Sequence, residues 1–260
     1  MKRLAFLLFA AMQCARAQDA GESEHVAPDP PQSRVHAMPY HEMADMMGMD
    51  DRRNFGKFML DRFEWQEASG DGRLEWDATA WYGGDYDKLW FESEGERGNG
   101  TTQDSRTELA WDRILSPWWN LRLGARHDGG IGPSRDWAAF GVAGLTPGFF
   151  DVEARVYLGE NARTALRLSA HRDYLLSQRL VLQPEAELSA YGKDDPERLI
   201  GTGLSDVKVG LRLRYEIRRE LAPYLGVRWV GHFGDSADYR KAAGDLAHEW
   251  LWLAGIRAWY

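Results

Sequence analysis

Apolar and polar positions alternate with a period of two from about residue 57 to the end of the chain. The last segment, 249–260, shows the pattern most fully, because every second side chain counted back from the end is uncharged and the series is aromatic at both ends. Its members are Tyr260, Ala258, Ile256, Ala254, Trp252 and Trp250. Successive side chains of a strand point to opposite faces, so these positions form one face of a predicted β-strand.

Twelve segments of this kind are predicted, and the clearest have one wholly uncharged face. They cover 57–67, 73–83, 87–96, 105–115, 119–128, 136–145, 149–158, 163–173, 178–191, 203–217, 221–233 and 247–260. The last segment alone would also suit a soluble sandwich, which turns its apolar faces inward. Across the twelve, however, the apolar faces end in Trp and Tyr and the opposite faces are crowded with charge. We therefore predict an all-β fold, a transmembrane antiparallel up-and-down β-barrel of about 12 strands with lipid outside and a polar lumen inside.

The links between the segments differ in length on the two sides. Every second link is tight, and most of the links between them are long and polar, with 159–162 as an exception. The tight links are 83–86, 116–119, 146–149, 175–177 and 218–221, and the long ones are 96–104, 129–135, 192–203 and 234–247. This asymmetry is typical of an outer-membrane barrel, whose even strand number leaves both termini on the short-turn side, in the periplasm.

The N-terminal region has the features of a secretory signal. Two basic residues precede a short apolar run at 4–12, and Ala-Arg-Ala at 15–17 forms an A-x-A site, so we expect a signal peptide over 1–17 that also carries off the single cysteine. Residues 18–55 are rich in Pro and charge, and we expect them to form a disordered Met/His-rich periplasmic tail. The outer-membrane barrel is then expected over 56–260.

Charge and hydropathy narrow the class of partner. The expected signal takes three of the 32 basic residues and none of the 40 acidic ones, so the mature net charge is about −11. Such a chain is a poor ligand for polyanions, and we expect no nucleic-acid partner. The mean hydropathy of −0.52 is low for a membrane protein. A barrel is compatible with it, because only alternate residues face lipid.

The tail concentrates the methionines of the chain. Five of the eight Met lie between 38 and 49, and none occurs from 60 to 260. Thioethers suit Cu(I) and imidazoles suit copper in either redox state, so the tail is a candidate copper site, with Cu(I) favoured over Cu(II). The candidate ligands are His36, Met38, His41, Met43, Met46, Met47 and Met49. The alternative is a low-complexity linker whose Met content is accidental.

Two barrel histidines, His171 and His232, are further candidate ligands because strand parity places both on the inner face. A histidine in a polar lumen is more often part of a hydrogen-bond network, and that reading is favoured. The acidic segment at 185–187 precedes a basic strand at 206–216 and should pair with it directly. Ladders of this kind would fill much of the interior, so we expect a narrow or plugged lumen.

Several stretches resemble the outer-membrane copper resistance protein B (CopB/PcoB) family of Gram-negative bacteria. They are DRFEWQ (61–66), WYGGDYDKLWFESEGE (81–96), TELAWDR (107–113), GARHDGGIGPSRDWAAFGVAGLTPGFFDVEA (124–154), LLSQRLVLQPEAEL (175–188), GTGLSDVKVGLRLRYEIRRELAPYLGV (201–227) and AGIRAWY (254–260). The resemblance implies copper tolerance at the outer membrane, with metal held by the Met/His-rich region and a periplasmic multicopper oxidase encoded nearby. The tail departs from the family in being short and without repeated Met-Asp-His units, and 171–173 reads HRD.

Three functions follow from these observations. The first is a non-enzymatic copper-binding barrel that captures periplasmic copper through its tail and sequesters it or passes it outward. The second is a general outer-membrane diffusion pore with an incidental tail. The third is an outer-membrane lipid hydrolase, which needs an outward Ser–His pair. The outward candidate His127 has no convincing serine partner in the sequence.

Overall fold

The computed structural model describes residues 39–47, 53–68 and 71–260. The chain divides into two units, Met1–Asp51 and Arg52–Tyr260. The remaining residues, and with them the expected signal peptide and most of the expected tail, lie outside the described ranges.

One element is described in the first unit, the short helix α1 at Tyr40–Met47. The sequence pattern predicts disorder in this segment. The carbonyl of Pro39 accepts hydrogen bonds from the backbone N–H groups of Glu42 at 3.0 Å and Met43 at 3.2 Å. Met and Ala are good helix formers, and an acidic residue in the first turn complements the helix dipole. Local propensity therefore accounts for the helix within an otherwise Pro-rich, charged segment.

The second unit is built almost entirely of strands. They are β1 (Phe55–Ala68), β2 (Asp71–Gly83), β3 (Asp87–Gly98), β4 (Thr101–Ser116), β5 (Trp119–Gly130), β6 (Arg135–Thr146), β7 (Phe150–Gly159), β8 (Arg163–His171), β9 (Tyr174–Leu175), β10 (Leu180–Tyr191), β11 (Gly203–Tyr215), β12 (Leu221–His232) and β13 (His248–Trp259). Strand β9 is a two-residue pairing segment. The other twelve strands match the twelve predicted segments to within a few residues at each end.

These twelve strands form a closed antiparallel barrel. Each pairs with its neighbour in sequence, except that β8 pairs with β10 across the short β9, and β13 closes the ring against β1. In the closing pair Met59 lies opposite Trp259 and Trp65 opposite Ala254. Closure removes every sheet edge and so satisfies the backbone groups of all twelve strands, which the interior of a membrane requires. The predicted fold class is confirmed.

The outer surface is apolar and the interior is largely charged, as predicted. In β13 the outward Trp250 and Trp252 are 67% and 72% exposed, whereas the inward Leu251 and Leu253 are both 3% exposed. The interior also holds two small apolar clusters, one of Ala68, Val230, Leu251 and Leu253 and one of Trp137, Ala139, Tyr157 and Ala165. Exposed aromatic side chains such as Tyr82, Trp118 and Trp259 lie near the short links, where Trp and Tyr are expected at a membrane interface. Near the opposite ends of the strands the exposed aromatics lie on β1 and β13.

The two ends of the barrel differ, and we call them the turn end, which carries the short links, and the loop end, which carries the long ones. The last long link is not irregular throughout, because it contains helix α2 at Gly234–Ala243. Gly244 ends α2 in the left-handed conformation, with φ of 92°, which suits a glycine. No helix within the described residues is long and apolar enough to cross a membrane.

Candidate functional site in the lumen

The inward faces of the strands bring a dense set of ionised side chains into the lumen. Many are deeply buried, including Glu64, Glu108, Asp112, Arg155, Arg212 and Arg228. Burying a charge is costly unless it is paired, so the pairing of these groups decides what the lumen can do. Many of the pairs fall into three groups, which we name the central, lateral and bridging clusters, and others, such as Arg214 with Asp173, stand apart.

The central cluster joins residues from β1, β2, β10, β11 and β12. It consists of Arg62, Glu64, Glu75, Glu185, Arg212 and Arg228. Arg228 lies at its middle and reaches Glu75 at 2.5 Å, Glu64 at 3.2 Å and Glu185 at 3.4 Å. Three guanidinium groups meet these three carboxylates, and Asp77 lies at the edge of the cluster, 3.7 Å from Arg62. The cluster links strands across one half of the ring.

The carboxylate of Glu64 is the most enclosed group of the central cluster, with no exposed surface. Arg212 donates two parallel hydrogen bonds to it, each 3.1 Å long. The hydroxyl of Tyr224 donates a third hydrogen bond at 2.8 Å. A bidentate guanidinium fixes both partners in orientation, so this side of the lumen is rigidly held.

The lateral cluster occupies the wall formed by β3, β4, β5 and β7. Arg155 contacts Glu92 at 2.6 Å, Glu108 at 2.8 Å and Glu153 at 2.6 Å. Arg122 shares Glu153 at 2.6 Å, contacts Asp112 at 2.9 Å, and lies over the ring of Trp90 at 3.8 Å. Two arginines meet four carboxylates here, so the lateral cluster carries an excess of negative charge.

The bridging cluster lies between the other two. Arg167 donates to both oxygens of Glu94, at 2.7 and 2.9 Å, and to Glu187 at 2.8 Å. Arg106 also pairs with Glu94. Lys208 pairs with Glu187 at 3.7 Å, and the two residues lie directly opposite each other on β11 and β10. The predicted pairing of the acidic strand with the basic strand is therefore confirmed.

These clusters divide the interior into two cavities. The turn-end cavity has a volume of about 450 Å³ and the loop-end cavity about 620 Å³. Three residues, Glu187, Lys208 and Arg228, line both cavities. They form the partition between the two spaces, which supports the prediction of a narrow or plugged lumen.

A network of polar contacts ties the long links together over the loop-end cavity. Asp195, in the link between β10 and β11, accepts hydrogen bonds from Arg135 at 2.9 Å and Arg163 at 2.5 Å. Arg198 in the same link donates to the carbonyl of Pro133 at 2.9 Å and to the carboxylate of Asp104 at 2.8 Å. The link between β10 and β11 thus contacts residues of three other strand pairs, β3/β4, β5/β6 and β7/β8, and narrows the opening of the barrel at the loop end.

The structure places His171 and His232 at opposite ends of the lumen. His171 is exposed in the turn-end cavity, where its Nε2 atom lies 3.7 Å from Asp151 Oδ2. His232 is 9% exposed and lines the loop-end cavity. Both face the lumen as predicted, but they cannot share one ion. Within the described residues, no three or more His, Cys, Asp or Glu side chains are grouped so that they could hold a metal ion.

Part of the candidate tail site lies on α1. Met43, Met46 and Met47 are exposed there, and their spacing of three and four residues places them on one side of a helix. His41 also lies in α1. His36, Met38 and Met49 lie outside the described residues. The complete set of tail ligands therefore stays a prediction.

The alternation of inward and outward positions along the sequence does not predict every member of the central cluster. A bulge between Leu60 and Arg62 shifts the register of β1 against β2. Beyond this bulge the inward positions of β1 change parity, and Glu64 joins Arg62 in the lumen. The uncharged positions Phe63 and Trp65, which are exposed on the outer surface, were the available signal for this change.

The barrel region matches one protein family. A sequence model described as "Copper resistance protein B precursor (CopB)" matches residues 54–260. Copper resistance protein B of Escherichia coli is 43% identical over 202 residues, covering 78% of this chain and 68% of that protein. A copper resistance protein B homolog of Pseudomonas syringae pv. tomato is 45% identical over 204 residues, covering 78% and 69%. The family match therefore includes all the barrel strands and leaves α1 outside.

The fold is also found among solved structures. A NanC porin structure superposes with a TM-score of 0.54 at 13% identity, covering 77% of this chain and 98% of that chain. At this low identity the likeness concerns the fold alone, and that fold is an outer-membrane β-barrel. The predicted location in the outer membrane is confirmed by the family and the fold together.

Proposed function

The chain belongs to the copper resistance protein B family, and from this premise we propose that its Met/His tail captures copper in the periplasm while the barrel holds the tail at the outer membrane. A role in copper resistance follows from the family. The finer proposal concerns which residues bind the ion, in which redox state, and what the barrel does with it.

The single observation that carries the proposal is the position of the methionines. Within α1, Met43, Met46 and Met47 expose their thioethers to solvent, where these groups contribute nothing to a core. Exposed thioethers favour Cu(I), and imidazoles such as that of His41 accept copper in either redox state. Helix α1 has only eight residues, and isolated helices of that length are marginally stable. Part of the binding free energy would therefore be used to stabilise the helix, and we expect weak and exchangeable binding.

Removal of the thioethers tests the proposal. In the mature protein, Met43→Leu, Met46→Leu and Met47→Leu are combined and Cu(I) is titrated against a chromophoric competitor. Leu preserves size and helix propensity but removes the soft donor. We expect loss of at least one equivalent of bound copper or a tenfold weaker affinity. Met59→Leu is the matched control, and unchanged stoichiometry and affinity in the triple variant would remove this part of the tail from the mechanism.

The barrel is proposed to sequester copper or pass it outward and to have no enzymatic activity. Its lumen is largely occupied by ion pairs, which argues against a general diffusion pore as the main role. A lipid hydrolase would need an outward serine hydrogen-bonded to a histidine. Among the described residues, the imidazole of His127 is hydrogen-bonded to Asp136 Oδ1 at 2.6 Å and to no serine. Lipid hydrolysis by the purified protein would revive that alternative.

The proposed partners follow from the same arrangement. The apolar outer band is proposed to contact acyl chains, with the turn end and the tail in the periplasm. A periplasmic multicopper oxidase is the proposed protein partner, since family resemblance implies one and the tail would meet it in that compartment. Copper transfer between loaded tail and apo-oxidase, measured with the triple Met variant as control, tests this partner.

A further inference from the structure

The partition between the two cavities contains one side chain that is held much less firmly than its neighbours. Arg228 contacts three carboxylates and its side chain is 2% exposed. Glu187 is fixed by Arg167 at 2.8 Å. Lys208, the third residue of the partition, is 40% exposed and has a single ion pair, 3.7 Å long. Its ammonium group is therefore the part of the partition that moves most easily.

The residue type supports the same conclusion. Among the described residues that line the two cavities, Lys208 is the one lysine, and the other permanently charged cations are arginines. A guanidinium forms rigid bidentate pairs, whereas an ammonium is a compact charge on a flexible four-carbon stem. The lumen thus places its one adaptable cation where the two cavities meet.

We propose that Lys208 is the gate of an ion path through the barrel and sets its charge selectivity. When the side chain lies against Glu187 it separates the cavities, and when it swings along the wall it joins them. Its positive charge in a narrow bore opposes cations more than anions. This inference goes beyond the proposed copper function, and it is tested with K⁺ and Cl⁻ in the absence of copper.

Planar-bilayer conductance of the full mature protein tests the gate. Lys208→Ala removes both the obstruction and the charge, so we expect a severalfold larger conductance and a cation-to-anion permeability ratio raised by about tenfold. Lys208→Met keeps most of the length without the charge, so it should change the selectivity more than the conductance. Lys208→Arg should keep the wild-type selectivity.

A matched control distinguishes the effect of removing a lysine at the partition from the effect of removing any lysine charge. Lys88→Ala removes a cation that lies over Trp81 at 5.0 Å and lines neither cavity, so conductance and selectivity should not change. Far-UV circular dichroism and heat-dependent gel mobility verify that each variant is folded. Folded Lys208→Ala with wild-type conductance and selectivity would overturn the proposal.

Sided chemical labelling gives a second, independent readout. Since the mature chain is expected to lack cysteine, Ser169→Cys, Ser189→Cys and Lys208→Cys each introduce one thiol. Ser169 lines the turn-end cavity only and Ser189 the loop-end cavity only. A small charged methanethiosulfonate should therefore modify each serine position from one chamber and position 208 from both. Modification of position 208 from one chamber only would place the partition elsewhere and refute the gate.

Discussion

The structure predicts that the ion pairs of Arg228 are essential for the stability of the barrel. Arg228→Met is the sharpest perturbation, because it keeps an unbranched side chain of similar length and removes the guanidinium. The variant leaves Glu64, Glu75 and Glu185 in the central cluster with only two arginines. The substitution thus removes one positive charge from a buried cluster and leaves an additional carboxylate without its cation.

The expected cost follows from burial and contact distance. Arg228 is 2% exposed, and its three contacts of 2.5 to 3.4 Å are all with carboxylates. Removal of one partner from a buried ion pair typically costs about 3–5 kcal/mol, since the remaining charge stays buried. We expect the free energy of unfolding to fall by an amount in this range. Because the network is shared, the three contacts should not contribute additively.

Urea unfolding in lipid vesicles, followed by tryptophan fluorescence and circular dichroism, measures the change. The matched control is Arg113→Met, which removes an arginine whose side chain is 51% exposed and whose pair with Asp87 is 3.5 Å long. Exposed ion pairs contribute roughly 0–1 kcal/mol to stability, so the control should change the free energy of unfolding little. Arg228→Met combined with Glu75→Gln removes one cation and one anion together, so it restores the original net charge of the cluster and should recover part of the loss.

Two results would refute this reasoning. One is a loss in Arg228→Met no greater than that in Arg113→Met, which would mean that water or rearrangement screens the central cluster. The other is a double variant that loses at least the sum of the two single losses, which would show that charge balance does not govern the cluster.

Three further variants probe other parts of the molecule. Val209→Arg places a charge in the middle of β11 on the outer surface, where Val209 is 48% exposed. In lipid we expect the free energy of unfolding, measured with urea, to fall by about 2–4 kcal/mol. An unchanged free energy would contradict contact of this face with lipid. Asp195→Asn weakens the pairs with Arg135 and Arg163, so cleavage of the long links by added protease should accelerate, with no change in tryptophan fluorescence. His171→Ala should change the unfolding free energy by less than about 0.5 kcal/mol, since the side chain is exposed.

The strand pattern could be predicted from sequence because side chains alternate with a period of two both in water-soluble sheets and in membrane barrels. A strand between lipid and a polar lumen alternates as regularly as one between water and a core, with the two faces exchanged. Trp250 and Trp252 at one end of β13 and Ile256 nearer the other lie on the predicted outer face. The two ends of the barrel could also be told apart from sequence, because short and long links alternate along the chain.

The contents of the lumen were less accessible to prediction, for two physical reasons. The β1 bulge moves Glu64 inward, and the sequence marks this change only by the shift of the uncharged positions to Phe63 and Trp65. Some contacts in the lumen depend on closure of the ring, as for Arg212 and Glu64, which are 148 residues apart. Helix α2 was missed because its sequence is polar, although Gly244 after it was a usable helix-end signal.

The chain separates soft and hard ligands between its two units. Met59 is the one methionine in 57–260, and its Sδ atom lies 3.4 Å from a guanidinium nitrogen of Arg257, whose positive charge disfavours a bound cation. The other lumen groups are mainly carboxylates and guanidiniums, and carboxylates suit harder ions than Cu(I). Under the proposed copper function, we therefore expect selectivity for Cu(I) to arise in the tail and any passage through the barrel to proceed by weak contacts. A copper-loaded mature protein should accordingly lose its Cu(I) when 36–51 are deleted and keep it when Lys208 is replaced.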